Sequence, residues 1–373
     1  MNKEELITWF EIDIAAIQHN VRAIQQLTEK PVMAVIKANG YGHGMKETAI
    51  AAVDAGAAWL GVARVEEALI LRQSGIERPI LVLGHTPAAV IPAAAAADIR
   101  VTIHQMGLAK IFAEAAGEKN LKIHAKVDSG MGRLGVFVDQ GMNLVHEILN
   151  FRNLEFEGIF THMARADEPE QPTTTRQLDL FNTLISNLEN EKIRPKVVHA
   201  ANSAAALNFS AASYDLIRPG IAIYGLNPSP ETPLPPQFKA ALSWKTTLVS
   251  IKQFEAGCGI SYGHRYFTSH AERIGVIPVG YADGFRRTQG NQVLIRGKKV
   301  PVLGSICMDQ CMISLDEVPE ACAGDEVVII GEQGGTKITA DDLAAQWGTI
   351  NYEVVCGLST RVPRIYFEDG PEF

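Results

Sequence analysis

Lys37 ends an apolar run and is followed at once by Gly40, Gly42 and Gly44, with Tyr41 and His43 between them, in the segment AVIKANGYGHG at 34–44. An amine held against an apolar wall loses preference for its charged form, because desolvation penalises the ammonium. Such an amine is a nucleophile able to form a Schiff base. The glycines beside it let a ligand approach the backbone closely. In AKVDSGMGRLG (125–135), Arg133 follows two close glycines, where a guanidinium can meet an anion. Thr161 and His162 close the run at 156–162. HAANSAA (199–205) sets Asn202 and Ser203 where a helix should start, and the N–H groups beside such caps also bind phosphate. IRPGIAIYG (217–225) carries Arg218, Gly220 and Ile221. Singly, these residues have ordinary readings: a snorkelling lysine, a helix cap, a surface ion pair, a hydrogen-bonded histidine. Gathered at one place they supply an amine, a phosphate cradle, two arginines and a histidine. That is the set pyridoxal phosphate requires. An arginine at the ring nitrogen stays protonated and cannot give the ring its proton, so the ring is a weaker electron sink and transamination is disfavoured.

The elements that must position these residues repeat from 32 to about 224. Short β-branched runs at 32–37, 59–63, 80–84, 100–103, 121–128, 156–162, 196–199 and 214–218 alternate with segments of helical spacing such as 45–55, 66–73, 108–116 and 175–191. Eight such units match the count of a (β/α)8 TIM-like barrel, whose functional residues lie past the C-terminal ends of its strands and whose phosphate sites follow strands 7 and 8. Strand counting alone leaves an open α/β sheet as the alternative. Residues 227–238 hold five prolines in twelve positions and read as a linker. Beyond it, runs at 242–254, 273–279, 292–295, 299–303, 311–315, 326–330 and 361–367 read as strands, with clear helical spacing only around 339–347. The expected organisation is therefore a barrel over 1–239 and a mostly antiparallel β domain over 240–373.

The composition narrows the function classes. The 373 residues are 47% hydrophobic and 20% charged, which is ample for a large core. The net charge of −8 disfavours nucleic acid and anionic membranes as partners. No stretch has the length of a signal or spanning segment. With five cysteines, an odd number, the chain is expected to be cytoplasmic with reduced thiols. The ten histidines show no HxH or HExxH spacing, so no metal is expected.

The chain resembles the alanine racemase family over essentially its whole length. The lysine segment and the three barrel segments quoted above are similar to that family's motifs. So are GISYGHRY (259–266), GYADGFRR (280–287), GSICMDQCM (304–312) and the tail NYEVVCGLSTRVPRIY (351–366). The resemblance implies that Lys37 holds pyridoxal 5'-phosphate and is one of two catalytic bases. Tyr262 is the other, delivered from the partner subunit of a homodimer with composite active sites. Two bases on opposite faces are what racemisation needs. A tyrosine is a poor base at neutral pH unless cations stabilise its phenolate, and His162, Arg218 and His199 resemble the network that does so. Tyr41, Ser203, Gly220, Ile221 and Tyr352 are implied phosphate contacts, with Asn202 among the cofactor-binding residues. Arg133 and the Met308 backbone are implied substrate-carboxylate contacts. Tyr281 and Tyr352 would narrow the entrance, with Cys307 and Asp309 nearby. The lysine matching Lys126 is carbamylated in parts of the family, which would turn a cation into an anion able to hold Arg133. Ala200 and Ser305 depart from the family pattern without removing a required group. The implied activity is interconversion of L- and D-alanine, supplying D-alanine for peptidoglycan.

Other readings of the same fold are a broad-specificity racemase, a serine racemase and a pyridoxal-phosphate amino-acid decarboxylase. The first is typically exported. The second is disfavoured by bulky Tyr352. The third would carry a cysteine and acidic groups in place of Tyr262 and the CMDQ segment. A barrel-only pyridoxal-phosphate-binding protein would lack residues 240–373.

Overall fold

A computed structural model describes residues 5–368 and divides into two units. Among the described residues, one comprises 16–40 and 45–239; the other comprises 5–15, 41–44 and 240–368.

The first unit is built on parallel strands. Met33–Val35, Trp59–Val62, Ile80–Val82, Ile99–Ile103, Leu121–Asp128, Leu154–Phe160 and Val197–His199 pair in sequence order. The segment expected as the eighth strand closes the ring. Asp215 N donates to Val198 O at 3.0 Å, Met33 N donates to Ile217 O at 2.8 Å, and Val32 and Ile217 form a parallel bridge. Such strands are buried on both faces and need continuous apolar runs. Ile99–Ile103 is buried at every position, and so is Met33–Val35. Helices Met45–Asp54, Val65–Gln73, Leu108–Ala116 and Thr173–Asn190 lie close to their expected positions. Because the strands are parallel, every strand-end residue singled out in the sequence lies at the same end of the barrel.

The second unit carries a long, mostly antiparallel sheet. Its strand order is Ser250–Phe254, Glu272–Ile277, Cys311–Ser314, Lys298–Leu303, Gln292–Ile295, Glu326–Gln333, Leu242–Thr247, Thr8–Asp13 and Arg364–Phe367. The placement of Thr8–Asp13 differs from the expected division at 239. This strand pairs antiparallel with Leu242–Thr247, from Thr8 opposite Thr246 to Ile12 opposite Leu242, and parallel with Arg364–Phe367. Two causes are visible. The barrel closes with its own eight strands and offers no free edge. Trp9, Phe10 and Ile12 are buried, and Phe10 packs on Trp244 at 5.4 Å between ring centroids. The run expected as one strand at 242–254 is broken at Leu248–Val249. A further helix, Asn351–Cys356, lies in the tail.

Candidate functional site

The chain leaves the Met33–Val35 strand through an unusual turn. Ala38, Asn39, Gly40 and Tyr41 all take left-handed dihedrals, with φ of 54°, 55°, 60° and 51°. Lys37 opens this turn and is partly buried. Asn39 Oδ1 accepts the N–H of Met45 at 3.1 Å, tying the turn to the next helix.

Arg218 is the centre of the barrel's polar network. It is 4% exposed, and its Nη2 donates to Thr161 O and Ala200 O, each at 2.9 Å. Nη2 also meets His162 Nδ1 at 3.3 Å, and Nη1 meets His199 Nδ1 at 2.9 Å. Burial and the neighbouring Arg133 bring its pKa down to about 9, still high enough to keep the charge at neutral pH. A guanidinium can only donate, so His199 Nδ1 must accept. Burial and Arg218 hold the His199 pKa well below its ordinary value, so its proton sits on Nε2. That nitrogen lies 2.8 Å from His124 Nδ1, and His124 Nε2 lies 3.5 Å from Glu157 Oε2. Burial would raise Glu157, but His124 and Arg100 outweigh it and hold the carboxyl at about 2. Donation therefore runs one way, from Arg218 through His199 and His124 toward the Glu157 carboxylate. Of these residues only His199 and Arg218 are expected here from the sequence; His124, Glu157 and Arg100 are not.

Asp128 was also missed, although an Asp ahead of GMG is a recognisable turn signal. Its Oδ1 accepts Gly130 N and Met131 N at 2.8 and 2.7 Å, and its Oδ2 accepts Arg133 N at 2.8 Å. The carboxylate thus builds the loop that presents Arg133. On the other side of the ring, Asn202 Oδ1 accepts Ala205 N at 2.9 Å and caps the Ser203–Asn208 helix. Ser203 Oγ accepts Gly220 N at 2.9 Å and Ala222 N at 3.3 Å, so a hydroxyl and two amides converge beside Ile221.

Positive charge accumulates at this end of the barrel. Burial, then Arg218, Lys126, Arg133 and Lys37, push the His162 pKa well down. Lys126 is 4% exposed, lies 4.7 Å over the Phe160 ring, and its Nζ has no hydrogen-bond partner. Burial, Arg218 and Arg133 lower its pKa well below that of an ordinary lysine. A buried amine without a hydrogen-bond partner among the described residues, set among arginines at the barrel end that also carries a hydroxyl and amide cradle, fits an anionic ligand with a phosphate and a carbonyl that Lys37 can bond.

The second unit holds the remaining candidates. Tyr41 is buried and packs on Tyr352 at 6.2 Å between centroids. Burial, then Tyr352, raise its pKa, so its phenol remains a donor. Gly42 O accepts Arg364 Nε at 2.7 Å. Tyr262, Met308 and Tyr281 are exposed. The Tyr281 N–H donates to Cys307 O and Ala282 N to Met308 O, both at 3.1 Å, locking two of these loops together. Arg361 bridges them, donating to Asp283 at 2.6 Å and Asp309 at 2.8 Å. Ser305 Oγ donates to Tyr262 O, and Ser261 Oγ lies 3.5 Å from Cys307 Sγ. Tyr262 and Cys307 line a hollow of about 580 Å³ with Phe254, Ile260 and Met312. Among the described residues no group of three or more His, Cys, Asp or Glu could hold a metal, and no helix is long and apolar enough to cross a membrane.

Comparison with known proteins identifies the family to which both parts of the chain belong. Residues 12–228 match the family described as alanine racemase, N-terminal domain, and residues 241–366 match alanine racemase, C-terminal domain. The chain is 44% identical to an alanine racemase from Symbiobacterium thermophilum over 364 residues, covering 96% of this chain and 97% of that protein. It is 41% identical to one from Halothermothrix orenii, covering 96% of each. Among solved structures, the alanine racemase from Bacillus anthracis with bound L-Ala-P superposes with a TM-score of 0.92 at 41% identity, over 98% of this chain and 96% of that one. The alanine racemase of Clostridium difficile 630 superposes with a TM-score of 0.93 at 36% identity, over 98% and 97%. With both domains matched in order and nearly full-length relatives above 40% identity, this two-unit chain belongs to the alanine racemase family.

Proposed function

We propose that the chain interconverts L- and D-alanine with pyridoxal 5'-phosphate held at the barrel mouth, as part of D-alanine supply for peptidoglycan. The observation that carries this reading is that Lys37, Lys126, Arg133 and Arg218 all act on His162, with Lys126 Nζ buried and unpartnered among the described residues, at the barrel end that carries the Ser203–Gly220 cradle. When bound, the cofactor supplies an aldehyde for amine exchange and an electron-withdrawing ring that acidifies the Cα–H of the amino acid. Ser203, Gly220 and Ile221 would hold the phosphate, with Asn202 keeping that helix start in place; Tyr41 and Tyr352 are the further proposed phosphate contacts. Arg218 would supply a donor to the ring nitrogen.

Inversion needs one group to take the Cα proton and another to return it on the opposite side. Lys37 Nζ and Tyr262 Oη are the two carriers, with Tyr262 contributed by a second copy of the chain. The exposed position of Tyr262, Tyr281 and Met308 supports that homodimeric arrangement. Arg133 and the Met308 backbone bind the substrate carboxylate, and Arg218, His162 and His199 form the network that supports Tyr262. Tyr281 and Tyr352, beside Cys307 and Asp309, restrict the entrance to a small side chain. A neutral, unpartnered amine is the form that adds carbon dioxide with loss of a proton. Carbamylated Lys126 would give Arg133 the anion it otherwise lacks. The odd number of cysteines, expected as reduced thiols, supports a cytoplasmic location.

Purified protein given L-alanine in deuterated water should yield D-alanine labelled at Cα, and borohydride should fix the cofactor to Lys37. A colourless protein, or one that releases carbon dioxide instead, refutes the proposal.

A further inference from the structure

We propose that Glu67 is a positioning residue for Lys37, its carboxylate serving as the peg around which the lysine's left-handed turn is built. The inference rests on the reading that Lys37 bonds pyridoxal phosphate. L-residues in a left-handed turn are disfavoured by about 1–2 kcal/mol each, so Ala38 and Tyr41 must be held there by their surroundings. Inside the turn Gly40 N donates to Ile36 O at 2.9 Å. From outside, Glu67 Oε1 accepts the Ala38 N–H at 2.8 Å. That amide belongs to the same peptide plane as the Lys37 carbonyl. Fixing the plane fixes the backbone on one side of Lys37 and thereby the direction of its side chain.

The other oxygen is not idle. Glu67 Oε2 accepts Ala63 N at 2.8 Å and Arg64 N at 3.1 Å, at the entry to the Val65–Gln73 helix where Glu67 itself sits. One carboxylate thus joins the end of the neighbouring Trp59–Val62 strand to the lysine turn. The geometry demands two acceptors. A glutamine presents one oxygen and one NH2 group, so it must set a donor against a donor on one side or the other. An aspartate is one methylene shorter and cannot span both sides, but it keeps the charge. The adjacent Glu66 is exposed and provides a control.

The test separates the lysine from the rest of the site. The full chain, stripped of cofactor, is titrated with pyridoxal 5'-phosphate and with pyridoxamine 5'-phosphate, following fluorescence quenching. Only the aldehyde can bond Lys37: Nζ adds to the carbonyl carbon, a C=N bond forms, and the oxygen leaves as water. Glu67→Gln and Glu67→Asp should each weaken pyridoxal phosphate about tenfold, the effect of losing one charge-assisted hydrogen bond. Binding of pyridoxamine phosphate should not change, and Glu66→Gln should alter neither. In turnover, kcat should fall while KM for alanine holds, because Glu67 does not touch the substrate. Equal weakening of both ligands would show a merely structural role and overturn the proposal, as would no weakening of either. Wild-type protein that does not distinguish the two ligands, or Lys37→Ala that keeps the distinction, would instead overturn the assignment of Lys37 itself.

Discussion

Replacing Asp128 by asparagine should loosen the Arg133 loop and leave the barrel standing. Asp128 Oδ1 accepts two amides and Oδ2 accepts the Arg133 amide, all between 2.7 and 2.8 Å. The asparagine NH2 group cannot accept, so whichever way the amide turns, at least one N–H loses its partner and faces another donor. A hydrogen bond to a charged group contributes about 1.5–3 kcal/mol, and about 2 kcal/mol in a unit of this size lowers the melting temperature by about 4–8 °C. Asp128 has a depressed pKa: burial would raise it, but the amides of Gly130, Arg133, Gly132 and Met131 outweigh that effect. A depressed carboxylate adds stability that is present in full above its unfolded pKa, near 3.9, and is lost as pH falls through the lower folded value. The melting difference between wild type and Asp128→Asn should therefore be constant from pH 7 to about 5 and shrink below about pH 4. In turnover assays KM for alanine should rise more than kcat falls, because the loop presents the carboxylate-binding arginine. The reasoning is refuted by a variant with unchanged melting temperature and KM, or by a melting difference that persists unchanged below the unfolded pKa.

Gly42→Ala should be severely destabilising, since φ is +83° and a Cβ there would lie 2.0 Å from Val355 O. Left-handed strain and overpacking together cost about 3 kcal/mol or more, read by chemical denaturation. Lys37→Ala and Tyr262→Phe should each lose racemisation, measured by circular dichroism of alanine, whereas Cys311→Ala, at a buried position, should keep it. Mixing the two inactive variants should restore part of the activity through hybrid dimers after subunit exchange. No restoration in demonstrably mixed dimers would refute a Tyr262 contributed in trans.

The barrel strands were legible because a parallel strand buried on both faces must be an apolar run, and the chain supplies eight of them bounded by glycine and polar residues. What the sequence hid depends on partners far along the chain. Thr8–Asp13 has strand composition, but its place beside Leu242–Thr247 is set by pairing across more than 230 positions. The break at Leu248–Val249 carries neither glycine nor proline. It arises because Leu248 N donates to Asp325 O and Val249 N to Val276 O, contacts no local pattern encodes. The glycines after Lys37 announced a turn, yet Ala38 and Tyr41 share its left-handed conformation, which their types do not favour. The bond from His124 to His199 spans 75 positions and was invisible for the same reason.

The acidic residues that escaped the sequence reading explain how a chain of net charge −8 keeps a cationic site. Glu67, Asp128 and Glu157 all lie near functional side chains, and any of them, left free, would neutralise an arginine or lysine at the barrel mouth. Glu67 and Asp128 instead direct their oxygens at backbone amides. Glu157 faces Arg100 and His124, and reaches Arg218 only through two imidazoles. The carboxylates shape the loops and, among the described residues, form no ion pair with Arg133 or Arg218. A site built that way holds its positive charge in reserve for a phosphate and a carboxylate that arrive with the ligand.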